Sequence, residues 1–444
     1  MQQPPPRDYL SLSPEITRAS VRSVSWWNQS NQPLQDNQNV RIEICDGQTF
    51  QTWDGFGGAV SERGMQALSR LPAQEQTRFF QAMFGPDGAS LSWIRLPIGA
   101  SDFALSAYSA SETAEDYELA HFSLARDRQW VIPYIRAAQA VNPAVRIHAS
   151  PWSPPGWMKK SGRMDGVEQC ELRDEPRLLA AYARYLRLFI QAYAVEGITI
   201  DRLMVQNEMD SPAPFPSCQW TPELFVRFHL AHLKPEFAAH RIDTEVWGGT
   251  FRTMSGLQAH ECFRNPEFRA FVRGAAFQYS YPKPIDDLQI LYPGTRIMHT
   301  ETVCHGGANT ATEAAGQFED FLGYAAAGAE VFTYWNSVLG EDAASTWGWK
   351  QNAMCTAHAE KQQLILNPDY EVFQLLGRNL RPGAVRVRCF SQLLTCLCYR
   401  NPDGRLCLIL RNLEEARQAE VTINGVLRRV DLPGHALCAL ILDV

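Results

Sequence analysis

Between residues 52 and 339 the chain alternates eight short β-rich runs with stretches of helical periodicity, and no other feature restricts its fold so strongly. The runs span 52–59, 92–99, 146–152, 202–207, 245–250, 275–281, 296–302 and 330–336. Between them, Leu179, Tyr182, Tyr185, Leu186, Phe189 and Tyr193 form an apolar stripe at helical spacing. Thr221-Pro-Glu-Leu has the form of a helix start. Eight strand and helix pairs in about 300 residues predict a closed (β/α)8 TIM barrel, an α/β fold, rather than an open doubly wound sheet. Gly55-Phe-Gly-Gly58 lacks the spacing of a dinucleotide-binding turn and has no ribose-binding acid at the right distance.

The pattern changes near Pro382 to short β runs at 384–389, 393–399, 406–412, 419–423 and 436–442, with turns such as Asn401-Pro-Asp-Gly404. Residues 20–28 and 39–44 are also strand-like, so both chain ends are expected to build one accessory β-sandwich domain. The expected division is 1–50 for its N-terminal strands, 51–380 for the barrel and 381–444 for its C-terminal part.

With 41 basic and 48 acidic residues the net charge of −7 argues against nucleic acid as a partner. No apolar run reaches the roughly 18 residues of a membrane span, and the first ten residues lack the basic and apolar segments of a secretory signal. A cytoplasmic protein is the expectation. The 11 cysteines show no metal-ligand spacing and read as reduced, buried thiols, with Cys396 and Cys398 sharing a strand face. Oligomeric state leaves no mark on the sequence.

In a barrel of this kind the active site lies at the C-terminal strand ends. The runs here end in Arg95 to Asp102, Ser150-Pro-Trp-Ser-Pro-Pro-Gly-Trp157, Gln206-Asn-Glu208, His299-Thr-Glu301 and Tyr334-Trp-Asn336. Glu208 and Glu301 therefore fall at the tops of strands four and seven, where the barrel can bring them face to face. Glycoside hydrolysis needs two such carboxyl groups, one to protonate the leaving oxygen and one to face the anomeric carbon. Trp152, Trp157, Trp335, Trp347 and Trp349 cluster at the same ends and suit the apolar face of a sugar ring. The prolines around Trp152 suggest that it faces the cleft. Arg95 reads as the partner that keeps a catalytic carboxylate in place and ionised. His299 and His305 have no third ligand at a recognisable spacing, so neither a metal nor another cofactor is expected.

Gly55-Phe-Gly-Gly-Ala59, Arg95 through Asp102-Phe103, Ala149-Ser-Pro-Trp-Ser-Pro-Pro-Gly-Trp157, Gln206-Asn-Glu208, His299-Thr-Glu301 and Thr346-Trp-Gly-Trp-Lys-Gln-Asn352 together resemble glycoside hydrolase family 30, which includes glucosylceramidases and β-1,6-glucanases. The resemblance follows the same order along nearly the whole chain. It implies a retaining mechanism with Glu208 as acid/base and Glu301 as nucleophile. It implies that Asn207 bonds the sugar 2-hydroxyl and that Asp102, Trp152, Trp335 and Asn352 line the sugar site. Trp349 joins this set, and His299 is expected behind the nucleophile. Two departures stand out. Met209-Asp210 follows the acid where the family has proline, and strand six reads Phe277-Gln-Tyr-Ser-Tyr281, leaving open whether Tyr279 or Tyr281 faces the nucleophile.

The resulting expectation is a β-glycosidase acting on a β-linked oligosaccharide or small glycoside. A glucosylceramidase-like β-glucosidase is favoured, with β-1,6-glucanase or another β-glycosidase (galactoside, xyloside, fucoside) next. A sugar-binding barrel without turnover is the alternative from another class, and an aldolase-type enzyme would need a strand-end lysine that none of the runs supplies.

Overall fold

A computed structural model describes residues 20–24, 40–252, 256–279 and 283–443. The chain divides into two compact units, Gln51–Ala384 and a second made from Met1–Phe50 with Val385–Val444.

In the first unit eight parallel strands form the barrel: β1 Gly55–Ala59, β2 Trp93–Pro97, β3 Arg146–Ser150, β4 Arg202–Met204, β5 Glu245–Arg252, β6 Gly274–Gln278, β7 Arg296–Glu301 and β8 Val331–Asn336. Neighbours in sequence are neighbours in the sheet, and β8 returns to β1 with Phe332 opposite Phe56. A bond from the Glu330 N–H to the Ile297 carbonyl (2.9 Å) joins the last two strands. All eight strands fall within or beside the sequence runs, because buried parallel strands read as near-continuous apolar segments.

The lower interior is filled by Trp93, Met204, Trp247, Ala276, Met298 and Val331 from six strands, all without exposed surface. The Arg146 and Arg202 guanidinium groups lie 4.2 and 4.3 Å from the Trp93 ring. Arg202 is held by Asp54 and Glu245 at 2.5 and 3.1 Å, so its buried charge is paired. The Pro176–Val195 helix buries the expected stripe, and the Thr221 hydroxyl caps the helix Pro222–Arg227 by accepting from the Leu224 N–H (3.2 Å).

After β8 lies a small sheet not expected from the sequence, with strands Val338–Gly340, Cys355–His358 and Gln363–Leu366. Its first two strands run parallel, so the segment joining them, which carries Trp347, Trp349 and Asn352, returns as a loop anchored at both ends.

The second unit is one continuous, mostly antiparallel sheet of eight strands drawn from both chain ends, rather than two separately bonded layers. Val40, Ile42 and Ile44 pack with Leu408, Val421 and Leu440 in one core, so the sheet folds over onto its own apolar face. All 11 cysteines are free thiols. Cys396 and Cys398 both enter that core, and the nearest sulfur to Cys396 is Cys389, at 3.2 Å.

Candidate active site

The site starts where the β4 ladder stops. Only residues 202–204 pair regularly, shorter than the expected run, and the chain then leaves the strand. The Asn207 N–H bonds the Pro151 carbonyl (2.8 Å) and the Glu208 N–H bonds the Thr250 carbonyl (3.2 Å). Glu208 adopts φ +48°, in the left-handed region that a residue with a Cβ enters at a cost of about 1–2 kcal/mol. Tyr279, just past β6, has φ +71°. Such conformations persist where surrounding contacts hold them, and both side chains here are held by each other. The Tyr279 hydroxyl donates to Glu208 Oε1, and the Gln278 amide donates to the same oxygen at 2.6 Å.

Glu301 reaches the interior through an irregularity. Phe277 pairs with His299, but Gln278 pairs with Glu301, so one residue of β7 is skipped at Thr300. A bulge of this kind turns the following side chain to the other face. His299 therefore points outward, where its ring stacks on Phe332 (centroids 4.1 Å) and meets Tyr324 of the helix Ala311–Ala326 (4.3 Å). Its Nδ1 accepts the Thr333 N–H at 3.3 Å. Burial, then Arg95, holds its imidazole well below the ordinary value, so it is a neutral packing residue.

Arg95 joins the two sides. One guanidinium nitrogen donates to Glu301 Oε2, and the other donates to Asn207 Oδ1 at 2.7 Å. Its flat face lies 4.6 Å from the Trp152 ring and 5.2 Å from that of Trp335, and these two rings stack on each other at 4.9 Å. Trp152 and Trp335 keep 2 and 1% of their surface exposed, so they form a buried platform beneath Arg95 rather than the open sugar-stacking faces expected from the sequence.

Asp102, Glu208 and Glu301 keep 4, 5 and 6% exposure, enough for solvent contact, whereas Arg95 has none. Burial and the neighbouring Glu208 push Asp102 up to about 7, while the Trp349 indole bonded to it pulls downward. Burial pushes Glu301 up to about 8 against the pull of Arg95, with Glu208 and Asp102 adding to the rise. Asp102 and Glu301 thus share the influence of one guanidinium, and burial keeps both raised into the neutral range. Tyr279, raised well above its ordinary value by burial and then Glu208, stays a phenol and donates.

Trp349 is half-buried beside Asp102, with the Phe215 ring at 4.7 Å. The Asn352 amide oxygen accepts the Asn309 N–H (3.1 Å) and braces the loop. Asp210, which follows Met209 where proline was expected, is neutralised by Arg252 at 2.8 and 3.1 Å. Tyr281 lies outside the described residues. Gln278 and Thr250 belong to the site although nothing in the sequence marked them. Among the described residues no cluster of His, Cys, Asp and Glu could hold a metal ion, and no helix is long and apolar enough to cross a membrane.

Residues 53–254 match the glycosyl hydrolase family 30 TIM-barrel domain. The chain is 25% identical over 419 residues to putative glucosylceramidase 2 of Caenorhabditis elegans, covering 88% of this chain and 80% of the relative. It is 27% identical over 201 residues to an endo-1,6-beta-D-glucanase of Neurospora crassa, covering 44% and 42% of the two chains. The solved structure of SrfJ from Salmonella typhimurium superimposes with a TM-score of 0.85 at 23% identity, covering 95% of each chain, a likeness of fold.

Proposed function

From the premise that the barrel belongs to glycosyl hydrolase family 30 and that the chain is a glycoside hydrolase, we propose a retaining β-glycosidase in which Glu301 is the nucleophile and Glu208 the acid/base. The observation that carries this reading is the pairing of partners. Glu301 is bonded by a permanent cation, Arg95, which suits an attacking carboxylate. Glu208 is bonded by two neutral donors, Gln278 and Tyr279, which leave it free to carry and release a proton.

In the first step a Glu301 oxygen bonds the anomeric carbon as the bond to the leaving oxygen breaks, and Glu208 transfers its proton to that oxygen. In the second, Glu208 takes a proton from water, whose oxygen replaces Glu301 at the same carbon. Two displacements restore the starting configuration. The carboxyl groups of such a pair stand about 5–5.5 Å apart. Asn207, turned toward Arg95, is placed for the sugar 2-hydroxyl. Asp102 has an oxygen with no protein partner among the described residues, and a second sugar hydroxyl would satisfy it.

The favoured substrate is a β-glucoside, as in the glucosylceramidase name of the worm relative, with a β-1,6-glucan second on the fungal one. A panel of aryl β-D-glucoside, galactoside, xyloside and fucoside tests this. Turnover greatest on the glucoside and lost in Glu301→Gln supports the reading; no turnover on any member refutes it.

A further inference from the structure

Gln278 has no exposed surface and sits between the two halves of the catalytic apparatus. Its amide nitrogen lies 2.6 Å from Glu208 Oε1, and its amide oxygen accepts the Thr250 hydroxyl. That hydroxyl oxygen is also 3.3 Å from Asn207 Oδ1, which receives the Arg95 N–H at 2.7 Å, and Arg95 continues to Glu301. A buried chain of polar contacts thus runs from one catalytic carboxyl to the other through Arg95, Asn207, Thr250 and Gln278.

The donors fix its direction. Asn207 Oδ1 is already supplied by Arg95, so the single Thr250 proton is available to the Gln278 oxygen, and the Gln278 NH2 must then face Glu208. Oε1 of Glu208 accepts from this NH2 and from the Tyr279 hydroxyl, both of which stay donors whatever the charge on Glu208. Oε2 makes no hydrogen bond among the described residues.

The geometry points to Gln278 as a positioning residue that keeps Glu208 Oε1 a permanent acceptor, so that the transferable proton resides on Oε2, the oxygen left for the substrate. A carboxamide does this without titrating, so the proton stays on Oε2 at every pH at which Glu208 is an acid. The inference rests on Glu208 being the acid/base.

The test reads leaving-group dependence. A 2,4-dinitrophenyl β-glycoside departs without a proton, whereas an alkyl β-glycoside needs one. Gln278→Leu is expected to lower kcat/KM about 10- to 100-fold on the alkyl glycoside and less than about 3-fold on the dinitrophenyl one, with a pH profile whose limbs move. Glu208→Ala should show the same selectivity more deeply. Should Gln278→Leu not fold, Thr250→Val, which removes the hydroxyl that orients the amide, is expected to repeat the pattern. Equal losses on both substrates, or none, in the folded variant would overturn the role of Gln278 while a selective loss in Glu208→Ala leaves the function standing. Absence of selectivity in Glu208→Ala would overturn both.

Discussion

Arg95 and Glu301 form an ion pair at the C-terminal mouth of the barrel in which the cation has no exposed surface and the anion almost none. Burying two charges is costly, and the pair is retained because the second guanidinium arm is bonded to Asn207 and the flat face of the cation lies against the Trp152 and Trp335 rings. Removing one partner strands the other. Arg95→Met is expected to destabilise the fold by about 3–5 kcal/mol and to lower kcat at least about 100-fold. Arg95→Lys, which keeps the charge but not the fork to Asn207, should fall between it and the native protein. Chemical denaturation and steady-state kinetics on the same preparations check both.

Trp335 supports that cation from beneath. Trp335→Ala should cost about 3–5 kcal/mol, as for other buried aromatic deletions, and should lower kcat through Arg95. Trp335→Phe, retaining a flat ring, should recover more than half of each loss. A loss confined to KM would instead mean that the indole touches substrate directly.

This platform shows where sequence reasoning stopped. The eight strands were legible because buried parallel strands leave short apolar runs, and Glu208 and Glu301 were legible because barrel topology dictates which residues end those runs. Trp152 and Trp335 lie at strand ends as expected, but only packing decides whether a ring is covered, and they cover each other. His299 and Glu301 stand two residues apart on one strand, yet the skipped residue at Thr300 breaks the alternation that would put them on one face. Asn352 lies in the expected loop, where its amide oxygen accepts the Asn309 N–H. Gln278 and Thr250 come from different strands, and a contact between them has no local signature.

Activity should fall on the alkaline side. Burial raises the Glu301 carboxyl to about 8 against the pull of Arg95. Loss of the general acid's proton stops protonation of an alkoxide leaving group, so kcat/KM on an alkyl glycoside is expected to decline at alkaline pH. On a dinitrophenyl glycoside, whose leaving group needs no proton, this limb should be absent, and a full pH–rate profile of the native protein on each substrate decides it.

Stability should fall with rising pH through the neutral range. Asp369, with no exposed surface, is pushed by burial from 3.8 to about 7. The folded state therefore holds this proton more tightly than the unfolded chain. Its contribution is complete below about pH 4 and is lost as pH rises through about 7. Asp369→Asn should reduce the fall in unfolding free energy between pH 5 and 8 by roughly 2–4 kcal/mol, read from urea denaturation at each pH. A steeper fall in the variant would contradict the assignment.

The most direct measurement is to trap the covalent species. Incubation with an activated 2-deoxy-2-fluoro-β-glucoside, followed by intact-mass analysis and peptide mapping, should show one sugar per chain, attached as an ester to Glu301. A label on any other residue, or inversion of configuration in the first product seen by NMR, would contradict the account.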